Sequence, residues 1–265
     1  MYIVGKEKMS KREEKKLIKY INKKKNECGC LVLSKTLKSN NFFVSSCEIP
    51  IAQGRWLFKF LLIQILEYIC AKQGNKMENL KIALVTDLND DLITYYIEQL
   101  STKVKTLKIV TSHRERFHNV EEKLYYNQGI VLEISNNRRK ALNEVDIIFN
   151  FGLEESKFNK YKLSEKSIII NFKEKIEIKT KRFSGINANF LEINLNNRII
   201  NKLQWTKEFD LVDIYESYLY RRDTIYNIQQ DIIKDNVHIK NLLGNKGVIS
   251  EKEYKNILDK SYDLA

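Results

Sequence analysis

Proline occurs once and glycine nine times in 265 residues, which excludes collagen-like, mucin-like and linker-rich architectures and leaves most of the chain for regular elements. Cysteine is scarce as well, limited to Cys28, Cys30, Cys47 and Cys70. A chain of this length buries a core without disulfide staples. Cys28-x-Cys30 is tighter than the two-residue gap of a zinc knuckle, and neither Cys47 nor Cys70 opens a second pair, so no metal site is expected. The three histidines, His113, His118 and His238, have no metal-ligand spacing. No His-Glu-x-x-His or Gly-x-Ser-x-Gly signature is present, which removes the commonest hydrolase motifs. Long hydrophobic runs are missing too. The most apolar stretch, Leu57 to Ala71, is shorter than a membrane span and carries Lys59, Gln64 and Glu67, so no membrane span is expected. The opening MYIVGKEKMSKREEKK turns charged within six residues, unlike a secretory leader, and a cytoplasmic protein is the expectation.

What is present is the composition of a folded domain, 43% apolar and 30% charged, with a net charge of +12. The charge is unevenly spread: residues 1–80 hold 16 basic and 7 acidic side chains. A basic excess of this kind makes a polyanion a candidate partner class. The clusters are the KREEKK run from Lys11, Lys23-Lys24-Lys25, and Arg138-Arg139. Glu13 and Glu14 interrupt the first, and no helix-turn-helix, zinc finger or RNA-binding aromatic pair accompanies them. The reading is weak, salt-sensitive nucleic-acid binding.

Periodicity sets out the elements. Ser10 with Glu13 forms a capping box ahead of a polar helix from about 11 to 25. LVLS (31–34) and FFVSS (42–46) read as short strands of a small sheet or hairpin. Pro50 and Gly54 precede a long helix from about 55 to 72, ended by Gly74. The pattern then alternates. KIALVT (81–86), TLKIVTS (106–112), IVLEIS (130–135), VDIIFNF (145–151) and SIIINF (167–172) are predominantly apolar runs separated by helix-length connections, with Asp90 or Asp91 placed to cap the first helix. This is the pattern of a parallel sheet covered on both faces. NFLEINL (189–195) reads as a further strand, Trp205 to Arg222 as an amphipathic helix continued by Ile225, Ile228 and Ile232, and Ser250 with Glu253 as the capping box of a last helix.

From Leu80 to about Phe172 the chain resembles the nucleotide-binding domain of the shikimate dehydrogenase and glutamyl-tRNA reductase type. IALVTDLNDDLITYYIEQL stands for the first strand, phosphate loop and helix. IVTSHRERF stands for the second strand and the turn that receives a 2′-phosphate, and VDIIFNF for the fourth strand. The resemblance implies a Rossmann-like α/β fold with sheet order 3-2-1-4-5 and a crevice lined by Thr86, Asp87, Leu88, Asn89, His113, Arg114 and Arg116. It also implies NADP as the candidate cofactor, the two arginines receiving the 2′-phosphate. The residues themselves oppose that cofactor. Fingerprint glycines permit the tight turn and the close approach of backbone to pyrophosphate, but the matching positions are Thr86, Leu88 and Asp91, and no glycine lies between Lys81 and Leu100. Asp87, Asp90 and Asp91 add negative charge where a diphosphate needs free N–H groups. The Lys and Asp pair that serves catalysis in that family matches no position here, and no catalytic residue is assigned.

Two further segments are candidates. Gln53, Arg55 and Trp56, at the start of the long helix, could clamp a carboxylate, a phosphate or a base, or Trp56 could enter the core with Arg55 closed over it. Tyr215, Tyr218, Tyr220 and Tyr226, with Arg221 and Arg222, have interface composition and suit a protein partner or self-association, or they close the core. The expected organisation is a basic region over 1–79, a three-layer Rossmann-like parallel sheet over 80–200 and a helical tail over 201–265 that packs back or mediates assembly. The expected function is binding of a ligand or protein with no redox cofactor. An NADP-linked oxidoreductase with an unusual loop and a basic nucleic-acid accessory protein are the alternatives.

Overall fold

The computed structural model describes residues 1–5, 9–161, 163–180, 182–203, 206–220, 222 and 224–258. The chain divides into two compact units, each assembled from two separate stretches. Met1–Leu57 joins Glu192–His238 in one, and Phe58–Leu191 joins the chain from Ile239 onward in the other. The helical tail is therefore divided: its two long helices belong with the amino-terminal residues, and its last segment belongs with the large sheet.

Six parallel strands form that sheet: β1 (Lys81–Val85), β2 (Thr106–Val110), β3 (Glu133–Ser135), β4 (Ile147–Asn150), β5 (Ile168–Asn171) and β6 (Ile186–Ala188). Their order is β3-β2-β1-β4-β5-β6, with Ile82 opposite Leu107 on one side and Ile147 on the other. Every residue of β4 and β5 is buried, which is why these strands read as unbroken apolar runs. Helices Asp91–Ser101 and His118–Gln128 connect the first strands. Asp90 caps the former by accepting the Ile93 N–H at 2.9 Å, and Gly129, at φ 67°, ends the latter in the left-handed conformation that glycine adopts without strain. The fold is a three-layer Rossmann-like α/β architecture.

The expected strand over 189–195 is present as Phe190–Asn194, and a sixth parallel strand that the sequence did not signal, Ile186–Ala188, precedes it. A Cβ on Gly185 would stand 2.0 Å from the Ser167 carbonyl oxygen, so only a glycine lets the chain turn in beside β5 this early. The long helix is two helices, Arg55–Phe60 and Leu62–Gln73, divided at Leu61. A hairpin, His238–Gly244 with Gly247–Val248, precedes the last helix, Glu251–Leu258. The expected Ser250–Glu253 capping box is present, with Ser250 N–H donating to the Glu253 carboxylate at 2.7 Å. Helix 251–258 joins helix 62–73 through Lys72–Glu251 (2.7 Å) and an edge-on Tyr68–Tyr254 pair.

In the other unit, helix Lys11–Lys23 begins on the expected capping box and buries Ile18 and Ile21 against Ile3, Leu31, Leu33, Leu37, Phe43 and Ile49. Val32–Leu33 pairs in parallel with Tyr2–Ile3. The second run expected as a strand is a helix, Asn41–Ser46, because the Asn40 side chain accepts the Phe43 N–H at 3.1 Å and that cap overrides the β preference of Phe and Val. The expected helix from Trp205 to Arg222 is observed over Leu211–Leu219, followed by Ile225–Lys234; Trp205 and Arg221 lie outside the described residues.

Candidate functional site

The carboxyl ends of β1 and β4 open onto a cavity of about 360 Å³ lined by Val85, Thr86, Asp87, Leu88, Asp90, Leu92, Ile93, Arg138, Phe151, Gly152, Leu153 and three lysines, Lys59, Lys157 and Lys173. This is the point at which strand order reverses, where open α/β sheets place their ligands, and the volume falls within the range of small-molecule sites. Phe151 belongs to an aromatic cluster with Phe172 (4.7 Å between centroids) and Tyr96 (6.5 Å). Tyr96 is buried and donates to the Lys59 carbonyl at 2.7 Å, which fixes the backbone from which the Lys59 side chain extends.

The loop after β1 is closed by its own side chains. Thr86 Oγ1 accepts the Leu88 N–H at 3.1 Å and donates to the Leu88 carbonyl at 2.9 Å. Asp90 takes the Ile93 N–H. Asn89 donates to the Arg116 carbonyl at 2.7 Å and accepts from Thr94 Oγ1 at 3.0 Å. Asp87 turns toward β2, where its carboxylate accepts from Ser112 N–H (2.7 Å), Thr111 Oγ1 (3.2 Å) and Arg138 (3.2 Å). Burial opposes the Asp87 charge, but the Ser112 N–H, the Arg138 guanidinium, the Thr111 hydroxyl and His113 outweigh it and hold the carboxyl below its ordinary value. Arg138 also donates to Ser112 Oγ at 2.6 Å. A dinucleotide loop needs small residues and open N–H groups; here Thr86 and Asp90 fill those roles with protein atoms, and the residues present do not fit a diphosphate.

Thr86, Asp87 and Leu88 line the cavity, whereas Asn89, His113, Arg114 and Arg116 are not among its lining residues. His113 Nδ1 lies 3.3 Å from Glu115. Arg116 donates to the Asp87 carbonyl at 2.8 Å, locking the loop from outside. Arg114 lines a different cavity, between β2 and β3 with Glu121 and Ile130–Ile134. The two arginines that the resemblance placed on one 2′-phosphate are thus employed separately. Arg138, read from sequence as part of a surface charge cluster, is the arginine that reaches the crevice. Its signal was its place just past β3, one strand further along the same sheet edge.

The candidate helix start at Gln53, Arg55 and Trp56 already holds a carboxylate. Glu216, buried on helix 211–219, accepts from the N–H groups of Gln53 (2.9 Å), Gly54 (3.1 Å) and Leu57 (2.9 Å). Trp56 is half-buried. The tyrosines of the tail divide in the same way: Tyr215 is fully buried and donates to Asp235 at 3.0 Å, while Tyr220 and Tyr226 are exposed.

Sequence reasoning missed an amide network at the carboxyl ends of β4, β5 and β6. Asn150 accepts the Leu153 N–H (2.8 Å) and donates to Asn171 Oδ1 (3.1 Å). Asn171 in turn donates to Asn187 (2.7 Å) and Asn189 (3.0 Å), and Asn189 reaches Asn245 (3.0 Å). Asn150, Asn171 and Asn189 are buried. Through Gly152 and Leu153 this network sets the cavity wall that follows β4.

No family model matches the chain, and no curated protein matches it. Among solved structures it is similar to an aspartate transcarbamoylase from Trypanosoma cruzi (12% identity, 67% of this chain and 65% of that one, TM-score 0.33). It is also similar to a UDP-glucose dehydrogenase from Pyrobaculum islandicum (6%, 49% and 29%, TM-score 0.35) and an ornithine carbamoyltransferase from Pyrococcus furiosus (9%, 83% and 70%, TM-score 0.34). The chain spans less than two thirds of the first two. The fold assignment rests on the strand order, and these likenesses add no function to it. Among the described residues no helix is long and apolar enough to cross a membrane.

Proposed function

We propose that the protein is a Rossmann-like binding protein whose crevice takes a small anionic ligand with an apolar body in place of a dinucleotide. The observation that carries this reading is the cavity rim. Lys59 and Lys173 line it and form no ion pair among the described residues, and Lys157 has only a 3.9 Å approach from Glu154. The floor, from Val85, Leu92, Ile93, Phe151 and Leu153, is apolar. Asp87 is satisfied by Arg138 and the β2 turn, so its charge is neutralised within the protein. A carboxylate, sulfonate or monophosphate attached to a ring or short chain suits this lining, because the lysines act as point charges while the body displaces water from the floor.

The test uses 8-anilinonaphthalene-1-sulfonate, whose fluorescence rises on entering an apolar site. One-to-one saturable binding is expected, weakened about tenfold (1.4 kcal/mol) by Lys59→Gln or Lys173→Gln and unaffected by added NADPH. Competition by micromolar NADPH, relieved by Arg138→Ala, overturns the reading in favour of the cofactor.

A further inference from the structure

Helix Lys11–Lys23 carries its cations on one side. Lys11, Lys15, Lys19 and Lys23 follow one another at four-residue intervals with Arg12 and Lys16 alongside, and all six are exposed. At 100° per residue they occupy roughly 140° of the helix circumference, flanking the arc on which Ile18 and Ile21 are buried. None of the six forms a salt bridge among the described residues.

The acids that interrupt this run in sequence are drawn off it in the fold. Glu13 is folded back onto Ser10, whose N–H and hydroxyl both donate to it at 2.8 Å. Glu14 accepts from the Asn40 side-chain amide at 2.8 Å. The next two lysines, by contrast, are neutralised: Lys24 by Glu27 at 2.7 Å and Lys25 by Glu48 at 3.1 Å. The strip therefore runs from 11 to 23 and stops there. Beside it lies a groove whose lining includes Lys15, Ile18, Lys19, Lys23, Phe42 and one carboxylate, Glu48, which Lys25 holds at 3.1 Å. Phe42 is 52% exposed, and Tyr20, on the same helix, is 56% exposed.

We propose that this face binds the phosphate backbone of a single-stranded nucleic acid without sequence preference. Successive lysines of the row are spaced by roughly 6 Å along the axis, so a strand laid along the helix meets a cation at every turn. An unpaired cationic track with adjacent aromatic faces is the combination single strands require, charge for the backbone and π-surfaces for the bases. An anionic membrane is a poorer fit, because the helix spends its aliphatic face on its own core and leaves no apolar wedge for the acyl boundary. The surface lies in the unit formed by Met1–Leu57 and Glu192–His238 and does not depend on the crevice.

Fluorescence anisotropy of the full chain with labelled dT20 and U20 tests the proposal. Binding is expected at 20 mM KCl for both strands, with a slope of log K against log[salt] of about −3 to −4 for four to six phosphates. The quadruple variant K11Q/K15Q/K19Q/K23Q should flatten the slope to about −1, and Phe42→Ala should weaken binding at least fivefold. K24Q should bind within twofold of the parent. Circular dichroism checks that each variant remains helical. Binding of only one of the two strands supports the proposal and identifies the polymer. Absence of binding at 20 mM KCl, an unchanged slope in the quadruple variant, or tenfold preference for a duplex of equal length overturns it. So does recruitment to phosphatidylserine vesicles without oligonucleotide binding.

Discussion

Asp213 is fully buried and lies 2.6 Å from Lys38, whose ammonium it shares with Asp210 at 3.2 Å. Its Oδ1 has no hydrogen-bond partner among the described residues. Burial pushes this carboxyl up to about 7; Lys38 pulls it down, and Asp210 and Glu216 push it up again. Because the folded value exceeds the unfolded one, the folded chain holds a proton between about pH 4 and 7 that the unfolded chain has released. Stability therefore falls as pH rises through that window and is level above it, with an upper bound of about 4 kcal/mol at 1.36 kcal/mol per unit. Asp213→Asn should remove this slope from the urea midpoint measured between pH 4.5 and 7.5; slopes equal to the parent's would disprove the assignment. Glu216→Gln turns an amide N–H toward backbone donors that now meet a carboxylate, and urea titration should show a loss of about 1–3 kcal/mol. Neither residue was legible as structural in the sequence. The helical period over 205–222 sorts apolar from polar positions and gives no partner for Asp213 or Glu216; only the fold shows that Lys38 and the N–H groups of Gln53, Gly54 and Leu57 meet them.

At the scale of elements, the central strands β1, β4 and β5 were legible because burial on both faces demands near-continuous apolar residues, and the glycine-free loop after β1 was legible because its chemistry is local. Asp90 is the cap that the sequence offered. Elements decided by competition or by distant contacts were not legible. Phe42–Ser46 has strand composition, yet one asparagine side chain starts a helix there. The asparagines ending β4 and β5 carried no local signal, since their amide partners lie 16 to 21 residues away, Asn171 for Asn150 and Asn187 and Asn189 for Asn171. The early start of β6 predicts a sharp contrast between two glycines. Gly185→Ala drives a methyl into the Ser167 carbonyl and should cost about 1–3 kcal/mol. Gly152→Ala, where nothing lies within 4 Å of the added carbon, should melt within a degree or two of the parent by calorimetry while altering the affinity of the anilinonaphthalene probe at the cavity.

For the whole molecule, the decisive feature is that each compact unit is completed by a stretch remote in sequence, an arrangement that composition along the chain, which suggested 79/80 and 200/201 as boundaries, has no means of showing. A chain truncated after Leu191 keeps helix 11–23 but loses Asp213 and Glu216, which hold Lys38 and the N–H groups of Gln53, Gly54 and Leu57. Amide hydrogen exchange over residues 30–57 should accelerate in that truncation by at least tenfold; unchanged protection would mean that the amino-terminal stretch is self-sufficient. On the ribosome the same arrangement imposes a delay. The first 57 residues emerge well before Glu216 is polymerised, about 10–30 s at ordinary elongation rates, and through that interval the nascent amino-terminal segment carries unsatisfied amides and an unneutralised lysine. A polyanion or a chaperone meeting the chain at this stage encounters a different surface from that of the finished protein, and slowing translation between codons 57 and 216 should lengthen that exposure.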